Sequence, residues 1–274
     1  MMRIHFLKEN SGFSLIELLV VLVLSSILMA VFYRAFIGQQ RSSAVQDQVV
    51  EMRQNVRAGL DRMAREIRMA GYGGAILEAF GNVNSFTEII TPVNGANHDS
   101  VTILMADEVA KLSQNAPAGS DRLVLNVSNG SELFDTSQKK YLCLNGQNNY
   151  LVKTVAGNTI TLAAPLLEDH LINESVGLVK AITYKILSNT TDLVRDENAG
   201  GGPQVLAEGV EGLQLRYTLA DGSKNVDSPG TPSEIRAVNM AVLARTKMTD
   251  PQYTGDGYRR QTLTCNVEVR NLGL

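Results

Sequence analysis

The 274-residue sequence contains no tryptophan, three histidines and two cysteines, and aromatic residues make up only 5% of it. Each scarcity narrows the available chemistry. His5, His98 and His170 are far apart in the chain, and neither HExxH, GxSxG nor any other nucleophile-plus-base signature occurs. Catalysis therefore has no support, and the chain reads as a non-enzyme. His98 in "ANHDS" and His170 in "EDHL" have loop-like surroundings and are expected to be solvated. No CxxC or Cys/His cluster is present, and no GxxxxGK[ST], so "AGGGP" at 199–203 is not a phosphate loop. No metal and no cofactor is implied. "DPQYTGDGY" at 250–258 sets two aspartates beside glycines but lacks EF-hand spacing, and a plain turn is the simpler reading. Charged residues are 19% of the chain and the net charge is −3. That charge is uneven: residues 34–70 hold seven Arg against four Asp/Glu, while 71–274 hold 16 Lys/Arg against 22 Asp/Glu. An acidic, tryptophan-free bulk gives direct nucleic-acid binding little support. The basic stretch is either a solvated face or, followed by an acidic domain, a surface that attracts like copies or partners head to tail.

The two cysteines, Cys143 and Cys265, permit one disulfide in an exported protein, and the alternative is a pair of separate thiols. In the chain-entropy view a loop this long would stabilise by about 4 kcal/mol.

What the sequence does have is one long apolar run, "FSLIELLVVLVLSSILMAVFY", residues 13–33. As a helix it would be about 31 Å long, close to the hydrocarbon thickness of a bilayer. No proline interrupts it. It is too long for a cleaved secretory signal and no small-x-small site follows it. A plain signal anchor would explain the length and the basic start with Arg3 and Lys8, but not Glu17. A carboxylate at that depth costs about 2.5–3.5 kcal/mol, so such residues are usually paired and functional.

Beyond the run the helical period continues. Val45, Val49, Met52, Val56, Leu60, Met63, Ile67 and Ala70 form one apolar stripe, and "AGYGG" at 70–74 should stop the helix. Arg57, Asp61 and Arg65 recur at i, i+4 on another face, where they can pair. From residue 75 the pattern becomes strand-like, with candidate strands at 100–106, 121–128, 140–145, 150–155, 159–164, 176–187, 192–196, 210–220, 234–246 and 261–272. "NAGGGPQ" (198–204) and "NVDSPGTPSE" (225–234) read as flexible connections. The expected architecture is α+β: a long amino-terminal helix, half transmembrane and half amphipathic, packed on an antiparallel β-rich carboxy-terminal domain.

Gly12-Phe13, then Ser14-Leu15-Ile16-Glu17, then the apolar helix resembles the start of type IV prepilins and pseudopilins. The order "ITYKIL…TDLVRD", "LAEGVEGLQLRYTLADG", "IRAVNMAVLART", "YRRQTLTCNVEVRNLGL" is similar to PilW-type minor pilins and, more distantly, to the J-type minor pseudopilins of type II secretion. The likeness covers the first 70 residues or so and roughly the last 100. It implies that residues 1–12 are a leader removed by prepilin peptidase after Gly12, and that Phe13 becomes an N-methylated terminus. It also implies that 13–33 is the membrane half of the helix, 34–70 the amphipathic half and 71–274 the exported head. Glu17 would pair with the terminal amine of a neighbouring subunit during assembly. The absence of a mid-helix proline leans towards a minor pilin or pseudopilin. Implied partners are the major pilin, other minor pilins, prepilin peptidase and the inner-membrane assembly platform. The implied location is the bacterial inner membrane, then the pilus at the cell surface. A membrane-tethered binding or enzymatic domain is the remaining alternative, and motility, DNA uptake, adhesion and secretion are not distinguished.

Overall fold

The structure, a computed structural model, describes residues 14–272. Its chain divides into two compact units at Val50 and Glu51. Helix α1, Leu15–Arg68, begins in the first and ends in the second.

In the first unit, the side chains of α1 from Leu15 to Ile37 lie open, including Leu19, Leu22, Ile27 and Phe32. The helix is long and apolar enough there to cross a membrane. Its polar interruptions are handled internally: the Ser25 and Ser26 hydroxyls donate to the carbonyls of Leu22 and Val23 at 3.0 and 2.7 Å. That is how a hydroxyl is tolerated where no water can bond it.

In the second unit the apolar stripe is buried from Met52 onward, with Val56, Leu60, Met63, Ile67 and Ala70 all inside. Each of these side chains larger than alanine contributes about 1.5–3 kcal/mol when fully removed from water. The helix stops at Arg68, and Gly71 follows in the left-handed region at φ 81°, where a Cβ would be strained.

The strands that follow are β1 Ile90–Val93, β2 Ser100–Lys111, β3 Arg122–Val124, β4 Tyr141–Leu144, β5 Asn148–Ala156, β6 Thr159–Leu162, β7 Ser175–Ile186, β8 Leu193–Asp196, β9 Gln204–Ala207, β10 Val210–Leu219, β11 Ile235–Arg245 and β12 Arg260–Glu268. A short helix α2, Ile76–Phe80, precedes them. Nine strands form one antiparallel sheet ordered β1-β2-β7-β4-β5-β6-β3, with β8 beside β7 and β9 beside β8; β10-β11-β12 form a second sheet. The long strand β7 is central: β2 pairs along one side, while β4 at 176–178 and β8 at 183–186 share the other. Both β2 and β7 are buried almost without alternation, as expected for strands covered on both faces.

This is the α+β architecture expected from the sequence, a long apolar helix packed through its second half on antiparallel sheets. Three elements were not anticipated. β1 is interrupted by Pro92, and β9 follows directly on the Gly/Pro-rich "AGGGP", so neither reads as a strand. The five-residue α2 is too short for a helical period. The stretch expected as a flexible connection, 198–204, links β8 to β9 and is held at its first residue. The Asn198 amide donates to Ala181 O and Thr183 Oγ1 at 3.0 and 2.9 Å.

β9 is covered by α1 at Gly59, where a Cβ would sit 3.3 Å from the Ala207 Cβ and 3.5 Å from the Leu206 carbonyl oxygen. Leucine there has no room and must lift the helix from the sheet. Gly59→Leu is expected to destabilise by about 3 kcal/mol and lower the melting midpoint by roughly 6–12 °C in a domain of this size. Differential scanning calorimetry checks this; an unchanged midpoint would show that the close approach is not needed.

Candidate functional site

Gly12 and Phe13 lie outside the described residues. Glu17 does not: it occupies the first turn of α1, and its Oε2 accepts the backbone N–H of Ser14 at 3.3 Å. The first N–H groups of a helix lack intrahelical partners and carry the positive end of its dipole, so an anion there is favoured by about 0.3–1 kcal/mol. That is a fraction of the insertion cost of the carboxylate. Around it Leu15, Ile16, Leu18 and Leu19 are all more than half exposed. The arrangement presents one carboxylate on an apolar rod, with no ion pair among the described residues. Chemically it suits a cation that arrives with a neighbouring apolar surface.

A second polar device lies where α1 meets the large sheet. Arg195 on β8 is 3% exposed. Its Nε donates to both oxygens of Glu66 on α1, at 2.9 and 3.2 Å, and its Nη1 donates to Glu197 at 2.7 Å. Tyr184 of β7 donates its hydroxyl to Glu66. Lys180 reaches Glu197 at 3.4 Å and Asp107 at 3.0 Å. Burial pushes the Tyr184 phenol up, and the Glu66 charge adds to the shift, so it stays a donor. Burial opposes ionisation of Glu197, but the Arg195 hydrogen bond and the charges of Lys180 and Arg195 overcome it and hold its carboxyl below the ordinary value. Sequence reasoning missed this cluster. Its one signal was Glu66, an acid beside the stripe positions Met63 and Ile67.

The remaining sequence expectations divide. Both cysteines are free thiols, so the bridge is not formed. Cys143 sits on β4 in the large sheet, with Sγ facing the Gly73 carbonyl at 3.6 Å, whereas Cys265 sits on β12 in the small one. Burial pushes the Cys143 thiol up to about 11. His98 is exposed as expected, but His170 is only 2% exposed. Its Nδ1 lies 2.7 Å from Glu174 Oε2, because 165–174 folds back onto Ala116 instead of looping into water. The aspartates of 250–258 are taken by arginines: Asp250 by Arg259 at 2.8 Å and Asp256 by Arg260 at 2.9 Å. No cluster of three potential metal ligands occurs among the described residues.

Residues 7–33 match the family model described as the prokaryotic N-terminal methylation motif, so the amino terminus carries a prepilin-type motif. Among solved structures the chain is similar to a type IV-like pilin from Thermus thermophilus, at 12% identity and a TM-score of 0.39, over 81% of this chain and 97% of that one. No curated protein sequence matches it.

Proposed function

We propose that the chain is a minor type IV pilin: a structural, non-enzymatic subunit that helps to prime filament assembly and sits at or near the tip. The observation that carries this reading is the methylation motif over 7–33 coupled to Glu17 in the first turn of an exposed apolar helix. In this reading prepilin peptidase removes residues 1–12 and leaves an α-amine at Phe13, which is then methylated. The subunit waits in the inner membrane by the 13–33 half of the helix, with the β-rich unit exported. On assembly Glu17 pairs with the terminal amine of a neighbouring subunit, which offsets the desolvation of both charges and sets their axial register. Major and minor pilins and the assembly platform are the partners.

The test is mass spectrometry of the chain purified from membranes. Loss of Met1–Gly12 and one added methyl group on Phe13 are expected, both abolished when prepilin peptidase is deleted. An intact amino terminus in the wild-type cell would overturn the reading in favour of a plain signal anchor. A minor pseudopilin of type II secretion would give the same mass, and co-purification with secretion-system rather than pilus subunits distinguishes it.

A further inference from the structure

The second sheet ends in β12, whose outer side has no strand beside it among the described residues. Register fixes which of its backbone groups face out. Val269 N–H donates to Arg236 O and Thr246 N–H to Arg259 O, both at 2.9 Å, and the β11–β12 pairing between these rungs has no shift. Hydrogen-bonded pairs alternate with pairs whose N–H and C=O point away. Gln261, Leu263, Cys265 and Val267 therefore bond to β11, while Thr262, Thr264, Asn266 and Glu268 turn their backbone groups outward. All four of these are exposed.

Long regular edges attract other strands, and proteins usually blunt them with proline, lysine, a bulge or a covering element. β12 is nine residues long, with no proline or lysine, and its charged residues, Arg260 and Glu268, are at its ends. The other edges are treated differently. β1 is short and carries Pro92, β3 has three residues, and β9 lies under α1 at Gly59. β10 is bulged, and its outer side is met by Asp99 and Val226.

Beside the open edge runs α1. Arg53 Nε donates to Gln261 Oε1, and Arg270 N–H donates to Arg68 O at 3.2 Å, so helix and strand advance together. Between them is a groove of about 450 Å³ whose lining includes Leu60, Leu263 and Thr264. Its helical wall exposes Arg53, Arg57 and Asp61, and Arg65 continues the row one turn on. Arg57 and Arg65 make no ion pair among the described residues.

We propose that this edge and the arginine row together bind an extended segment of a partner protein as an added strand, with Asp or Glu at alternate positions. The spacing matches: alternate side chains of a strand recur every ~6.8 Å, and positions four apart on a helix every ~6 Å. Acidic side chains of the added strand then face Arg53, Arg57 and Arg65, and Asp61 marks the one place in the row that rejects a carboxylate. Backbone hydrogen bonds supply affinity, and the charges choose the partner. The proposal goes beyond the assembly role of Glu17 and stands without it.

The experiment uses the full chain in detergent micelles and a fluorescein-labelled seven-residue peptide that alternates Glu and Val but carries Thr at the position facing Asp61, with its Lys-for-Glu counterpart as control. Saturable binding of the acidic peptide alone is expected, with slowed amide exchange at Thr264 and Asn266. Thr264→Pro removes one outward donor without breaking a bond to β11, and Arg57→Glu reverses the charge; each should weaken binding by about tenfold or more. Circular dichroism melts of both variants should match the wild type. Equal binding of both peptides, or binding that neither variant weakens, would sink the proposal. So would a concentration-dependent self-association lost in Thr264→Pro, which would assign the edge to a second copy of the chain.

Discussion

Glu17→Val is expected to leave export, leader removal and the melting of the β-rich unit unchanged while nearly abolishing filament initiation. Valine suits the lipid better than glutamate does, so insertion is not impaired. The substitution lies in the helical unit that ends at Val50, and the sheets and the buried core residues belong to the other unit. On the proposed reading, what is lost is the partner for the terminal amine of the neighbour. Leaving one member of a desolvated ion pair unpaired costs about 3–5 kcal/mol, a factor of about a hundred or more in the docking equilibrium. Counting sheared pili by electron microscopy, beside membrane fractionation of the variant, checks both halves of the expectation. Glu17→Asp keeps the charge but retracts it by one methylene, so it should be intermediate. Normal piliation by Glu17→Val would remove the electrostatic register from the mechanism.

The parts of the molecule legible in the sequence are those where one period runs long. The 13–33 run and the stripe from Met52 to Ala70 obey single rules over many residues, and α1 follows both. Ten of the twelve strands coincide with anticipated segments because each carries at least a few β-branched or alternating positions. β1 escaped because Pro92 interrupts it and β9 because it follows directly on the Gly/Pro-rich "AGGGP", and both because the backbone pairing that makes them strands is supplied by β2 and β8. His170 was misplaced for a related reason: nothing local in "EDHL" shows that Ala116, 54 positions earlier, will bridge to it. The amino-terminal site shows the opposite case. On the proposed reading its chemistry depends on the sequence spacing of Phe13 and Glu17, which sequence alone displays, and the structure adds the exposure of the apolar residues around Glu17.

The helix-to-sheet cluster belongs to neither extreme, and its loss should give a large change in stability. Arg195→Met is expected to destabilise the second unit by about 3 kcal/mol, because the part-buried Glu66 and Glu197 would lose their nearest cation and keep only the longer contacts with Arg62 and Lys180, each at 3.4 Å. For a domain of some two hundred residues that lowers the melting midpoint by about 10 °C. The double variant Glu66→Met/Arg195→Met should regain most of this, since it removes the stranded charge and fills the same space with apolar atoms. Tyr184→Phe deletes one hydrogen bond to Glu66 and should cost about 1 kcal/mol. The pH dependence gives an independent readout. Glu197 is held below its ordinary value of 4.5 in the folded chain, so its contribution is present above that pH and is lost as pH falls through the folded value. Arg195→Met weakens the interaction that holds it low, so the gap between wild type and variant should narrow as pH drops below about 4.5. Chemical denaturation at pH 7 and pH 3.5 measures both. A gap that is small at pH 7, or one that widens in acid, would mean that the arginine is not what fastens α1 to β7 and β8.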